Sequence, residues 1–126
     1  MHFRPFRSLS AAAVSSFLLL GLVSSASAAG EKDKDALKLH DQAINEDYLN
    51  ADFPKATAKL KDALKKCGAS GCTPSLVAKI HVSLGTIYGA GMSKLDDAKE
   101  EFILGLKADP SVTVDSALTS PELDKV

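Results

Sequence analysis

Between residues 35 and 110 apolar side chains recur every three or four positions, the spacing of one helix face, in four successive runs separated by turn residues. From Asp35 to about Asn50 the run Ala36, Leu37, Leu39, Ala43, Ile44 and Tyr48 predicts a first helix. Asn50-Ala51-Asp52 breaks it, with Asp52 placed to cap a second helix in which Pro54 falls in the tolerant first turn. That helix runs to Lys66, buries Ala56, Leu60, Ala63 and Leu64, and meets a natural stop at Gly68. Thr73-Pro74 opens a third, a threonine cap followed by a proline whose missing N–H costs nothing there, with an apolar stripe of Leu76, Val77, Ile80, Leu84, Ile87 and Tyr88. Gly89-Ala90-Gly91 ends it, and a fourth helix spans about Leu95 to Ala108, closed by Asp109-Pro110. The pattern predicts an all-α domain built from two helical hairpins in series.

Upstream the pattern changes. Arg4 and Arg7 precede an apolar run from Leu9 to Val23, and Ala26-Ser27-Ala28 has the small-x-small form that signal peptidase accepts. Residues 1–28 are therefore expected to be a secretory signal peptide cut between Ala28 and Ala29. An uncleaved anchor is the alternative, disfavoured because the apolar run is interrupted by Ser10, Ser15 and Ser16 and is shorter than the ~20 residues a membrane span needs. The mature chain is expected in the periplasm or secreted, without stable membrane insertion after cleavage, and residues 29–34, of mixed charge, are expected to be a flexible leader.

Both cysteines lie in Cys67-Gly-Ala-Ser-Gly-Cys72, between the second and third helices. In an oxidising compartment two cysteines this close pair as a disulfide that ties the two helices together. The spacing is wrong for a Cys-x-x-Cys redox couple. A metal clamp needs two more ligands, and His40 and His81 do not form a His-x₃₋₅-His arm. Each histidine follows an apolar residue, which places both at partly buried helix positions.

Composition narrows the function. All 16 acidic residues lie beyond the leader, whereas two of the 15 basic residues lie within it, and the resulting acid excess argues against a nucleic-acid partner. There is no glycine-rich phosphate loop, no serine nucleophile elbow and no His-Glu-x-x-His, so neither an enzyme nor a cofactor is expected. Asp96, Asp97, Glu100 and Glu101 at the start of the fourth helix, and Lys59, Lys61, Lys65 and Lys66 toward the end of the second, match the helix dipole and are expected on solvated faces.

The second hairpin carries Leu84-Gly85-x-x-Tyr88 and then Ala98-x-x-x-Phe102-x-x-Gly105-Leu106-x-x-x-Pro110. This resembles a tetratricopeptide repeat. Small residues at Gly85, Ala98 and Gly105 let antiparallel helices approach, Leu84, Tyr88 and Phe102 fill the space between them, and Pro110 turns the chain onward. The first hairpin repeats the latter half, with Ala56, Leu60, Ala63 and Leu64 at the spacings of Ala98, Phe102, Gly105 and Leu106. The offset is 42 residues, against a usual period of about 34, and the cysteine loop accounts for most of the excess. The resemblance, to secreted bacterial members of the family, implies an α-solenoid of about two repeats and a non-catalytic adaptor or scaffold. Its groove, lined by the first helix of each pair, would hold a protein or peptide partner. In this chain the groove positions are Lys79, Val82, Ser83 and Thr86 in the second repeat and His40, Ile44 and Asp47 in the first. A structural spacer, the N-terminal part of a larger secreted protein, and a metal-binding accessory subunit are the alternatives.

After Pro110, residues 111–115 are too polar and β-branched to continue a helix, and Ser120-Pro121-Glu122 has the form of a helix start. The expectation is a linker and the start of a further helix over 111–126, with the rest of that helix beyond Val126. Ile103, Leu104 and Leu106, with Leu118 and Leu123, are then expected to leave an apolar face open to self-association or to a covering helix.

Overall fold

The computed structural model describes residues 26–114 and Leu118. The body of the expected signal peptide and the helix start at Ser120 lie outside the described residues. Among the described residues all regular structure is helical: α1 (Ala26–Gln42), α2 (Phe53–Cys67), α3 (Pro74–Thr86) and α4 (Leu95–Ala108). Two of the four continue past their α-helical ends as wider π-helical turns, α1 through Ala43–Tyr48 and α3 through Ile87–Gly91. No helix is long and apolar enough to cross a membrane, among the residues described.

α1 begins nine residues before Asp35, so residues 29–34 are helical rather than a flexible leader. Tertiary contacts hold this stretch. The Asp33 carboxylate accepts the Thr73 N–H at 2.8 Å, and the Lys32 side chain lies against Gly71. The same bond corrects the expected threonine cap of α3: the Thr73 side chain makes no capping bond, and its backbone amide is held by α1 instead. At α2 the expected cap is present, the Lys55 N–H donating to Asp52 Oδ1 at 3.2 Å, and Gly68, at φ 60°, closes the helix in a conformation that favours glycine.

α1 packs on α2, α3 on α4, and α2 against α3. α3 and α4 are antiparallel, since Gly85 meets Ala98 and Phe102 while Ala78 and Val82 meet Gly105. Glycine is needed at the first of these crossings: a methyl group at Gly85 would lie 2.8 Å from the Phe102 ring and 3.1 Å from the Ala98 carbonyl oxygen. The core is small residues interleaved with aliphatic ones, Ala36, Ala43, Ala56 and Ala63 around Leu60, Ile80, Leu84 and Ile87. Ala51 and Ser93, 42 residues apart, both turn the chain with positive φ, 57° and 54°, so the offset found at Ala56 and Ala98 extends into the two turns.

Cys67 and Cys72 are joined in a disulfide, with Cα atoms 4.9 Å apart, tying the last turn of α2 to the entry of α3. Helix three ends within Gly89-Ala90-Gly91 as the pattern leads one to expect, its π turn running to Gly91, where the Phe53 ring lies close against the backbone. Each hairpin holds one tyrosine within its π turn. Tyr48 meets Phe53 with ring centroids 5.7 Å apart, and the Tyr88 ring is flanked by the ammonium groups of Lys61 and Lys94 at 5.7 and 5.9 Å from its centroid. On α4, Ile103, Leu104 and Leu106 are exposed, as the pattern leads one to expect.

Candidate binding groove

α1 and α3 turn one face each toward a cleft of about 780 Å³. His40 and Ile44 enter it from the first hairpin and Lys79, Val82, Ser83 and Thr86 from the second. Six of the seven expected groove residues therefore meet at one place, drawn from segments about forty residues apart in sequence.

Asp47 is the exception, and the π turn explains it. On a regular α-helix His40, Ile44 and Asp47 share a face. The turn over Ala43–Tyr48 instead closes by bonds to the fifth residue back, as in Asp52 N–H to the Asp47 carbonyl at 2.9 Å, and its wider winding rotates later side chains away from the α-helical register. Asp47 thus turns toward α2, where it is buried between Lys55 at 3.0 Å and Lys59 at 2.7 Å. The Lys59 ammonium, assisted by Lys55, holds this carboxyl below its ordinary pKa against the opposing effect of burial. Asp47 locks α1 to α2 and does not line this cleft.

The far wall of the cleft comes from the chain itself. Ser111 donates through both its N–H and its hydroxyl to Asp109 Oδ1, at 2.9 and 2.6 Å, and the Val112 N–H donates to the Asp109 carbonyl at 3.1 Å. This turn around Pro110 sends residues 111–114 back along the cleft, which they line together with Leu118. Leu118 is thus half-buried at the cleft rather than part of the apolar face of α4. Only the helix-ending proline hinted at this placement. Asp41 and Asn45, which also line the cleft, went unnoticed in the sequence because polar residues beside a helical stripe read as solvent-facing.

Inside the cleft the two hairpins are joined by a side-chain bond, His40 Nε2 to Ser83 Oγ at 2.9 Å, while His40 Nδ1 lies 3.1 Å from Asp41 Oδ1. Burial holds the imidazole below its ordinary pKa of 6.5; hydrogen bonding to Asp41 pulls upward and the Lys79 charge pushes further down. Thr86 is fully buried and donates its hydroxyl to the Val82 carbonyl at 3.0 Å. Lys79 is exposed at the rim. His81 faces the other way, its Nδ1 2.7 Å from Glu101 Oε2 on α4. The thiols are committed to each other and the two histidines to different partners, and among the described residues no three His, Cys, Asp or Glu side chains are grouped to hold a metal ion.

Comparison with protein-family models, with curated proteins and with solved structures gives no match to this chain.

Proposed function

We propose that this chain is a two-repeat, tetratricopeptide-like interaction module, exported to the periplasm or beyond, that holds a peptide segment of a partner protein in the cleft between α1 and α3. The observation that carries this reading is the convergence of His40, Ile44, Lys79, Val82, Ser83 and Thr86 on one cleft. Its size falls in the range of about 300–1,000 Å³ typical of ligand sites, enough for a few residues of peptide rather than a folded domain. Ile44 and Val82 offer apolar contact, and Lys79 provides a positive charge facing the carboxylates of Asp41 and Asp109. A peptide with an apolar anchor flanked by polar residues suits that surface. The disulfide accords with an oxidising compartment.

Site-specific photo-crosslinking in the producing cell tests it. A crosslinker at Lys79, exposed on the rim, is expected to trap a discrete partner that one at Lys65, on the exposed surface of α2, does not. Val82→Glu, which places a charge in the cleft, is expected to abolish that adduct while helix content persists. Identical adducts from both positions, or none from Lys79, would refute the reading.

A further inference from the structure

Ser83 behaves unlike its neighbour one turn on. A hydroxyl inside a helix commonly bonds the carbonyl four residues back, as Thr86 does with Val82. Ser83 instead reaches across to α1 and meets His40 Nε2 at 2.9 Å, while Nδ1 of the same ring lies 3.1 Å from Asp41 Oδ1. The proton positions follow from chemistry. An ionised carboxylate only accepts, so Nδ1 carries the proton; a neutral imidazole then has Nε2 as its acceptor, and the Ser83 hydroxyl must be the donor. Carboxylate, imidazole and hydroxyl form a relay with the polarity of a hydrolytic triad, a constellation recognised by geometry and roles rather than by sequence order. All three residues line the cleft.

We propose that Ser83 is an activated nucleophile, with His40 as its general base and Asp41 as the residue positioning the imidazole, in a site that hydrolyses small carboxylic esters. Ser83 Oγ adds to the ester carbonyl carbon as its proton passes to His40 Nε2. The bond to the alcohol oxygen breaks as His40 returns that proton to the departing alcohol, leaving an acyl-serine. Water then adds by the same route, giving its proton to His40, and the carboxylic acid leaves as Ser83 Oγ is reprotonated. The sum is ester and water to acid and alcohol, with no other reactant.

Access sets the substrate class. His40 and Ser83 are each only 4% exposed, which favours a small acyl part, with the alcohol part toward the open cleft. The Ser83 N–H lies within α3 and is not available as an oxyanion donor. The cation that can face the developing charge is Lys79, one turn earlier on the same helix face and close enough to act on His40. Asp41, Lys79 and Asp109 are the charged side chains lining this cleft, and burial keeps His40 in the neutral, proton-accepting form at pH 7. The proposal does not depend on the peptide-binding reading.

The test uses the full exported chain. A fluorophosphonate probe is expected to form one adduct, mapped to Ser83 by peptide mass spectrometry and lost in His40→Gln. Hydrolysis of p-nitrophenyl acetate is expected to fall by roughly 10²-fold in His40→Gln, the low end of what a positioned general base contributes, and by at least as much in Ser83→Ala, which removes the nucleophile the base serves. Asp41→Asn should lower the plateau rate and move the acid limb of the pH–rate profile to lower pH, because the carboxylate that raises the His40 pKa is gone; a purely structural residue would not move that limb. Absence of a Ser83 adduct on folded protein, or acetate hydrolysis unchanged in Ser83→Ala, overturns the proposal. So does a Ser83→Ala variant that melts lower when the parent never took the probe, since the bond would then be a structural latch alone.

Discussion

Replacing Gly85 by alanine sets two effects of known size against each other. Alanine is favoured over glycine in a helix by about 1 kcal/mol, so on an isolated helix the change stabilises. Here the new methyl would lie 2.8 Å from both Cδ1 and Cε1 of Phe102 and 3.1 Å from the Ala98 carbonyl oxygen. Carbon atoms rest at about 3.5–4.0 Å, so the overlap is more than half an ångström. The half-buried Phe102 ring can swing aside, but the Ala98 carbonyl belongs to the α4 backbone and yields only if the helices part. Overpacking of this kind costs about 1–3 kcal/mol, which exceeds the propensity gain and leaves a net destabilisation of about 1 kcal/mol. For a domain this size that is a fall of roughly 4–8 °C in melting temperature, measurable by far-UV circular dichroism. Gly105→Ala is the internal control. Its methyl would meet Val82 Cγ2 at 3.0 Å and the Ala78 carbonyl at 3.2 Å, a milder overlap that the propensity gain nearly offsets, so its melting temperature should stay closer to the parent's. Adding Phe102→Leu to Gly85→Ala should recover part of the loss, a coupling a double-mutant cycle reads directly. A Gly85→Ala protein that melts several degrees above its parent would show that α3 and α4 do not cross as closely as described.

Breaking the Cys67–Cys72 ring with paired serine substitutions should leave helix content unchanged and cost about 2 kcal/mol on the chain-entropy estimate for so short a loop; an unaltered unfolding curve would count against it. His40 is held below its ordinary value of 6.5 in the fold, so the unfolded chain takes up its proton first as the pH falls. Its contribution to stability is therefore full above pH 6.5 and declines as the pH drops from there toward the folded pKa, and thermal unfolding in steps from pH 7.5 to 5 should show a slope that His40→Gln flattens. Asp47 has the same sign in a more acidic window: its depressed pKa gives a contribution present above about 3.8 and lost as the pH falls through the folded value, so Asp47→Asn should melt lower at pH 7 and converge on the parent in strong acid.

Helices two and four were legible almost to the residue, because their ends carry side-chain or backbone signals: Asp52, Gly68 and Asp109-Pro110. The ends of the first and third were marked as well, by Asn50-Ala51-Asp52 and Gly89-Ala90-Gly91; what stayed hidden was the start of the first, at Ala26 rather than Asp35, and the difference between π and α winding in their last turns, which leaves no mark in an apolar pattern sought at α-helical period. That difference also separates the groove residues. Lys79, Val82, Ser83 and Thr86 all precede the π turn of the second hairpin and fall where a regular helix puts them. His40 and Ile44 lie before or at the start of the first π turn and do likewise, whereas Asp47, near its end, has rotated away. What no local pattern could show were the pairings across the fold, Asp33 with Thr73 and His40 with Ser83, 40 and 43 residues apart. The return of residues 111–114 along the cleft was equally hidden, because it depends on a turn that Asp109 organises through its side chain.

The two tyrosines give the molecule an optical property. The chain has no tryptophan, so its near-ultraviolet absorption and emission come from Tyr48 and Tyr88 alone among its strong chromophores. One sits on each side of the disulfide, in unlike surroundings: Tyr48 against a phenyl ring, and Tyr88 between two ammonium groups. With Tyr48→Phe the signal reports the second hairpin only, and with Tyr88→Phe the first. Superimposable melting traces from the two variants would mean that the hairpins unfold as one cooperative unit, and staggered traces would give the order in which they come apart.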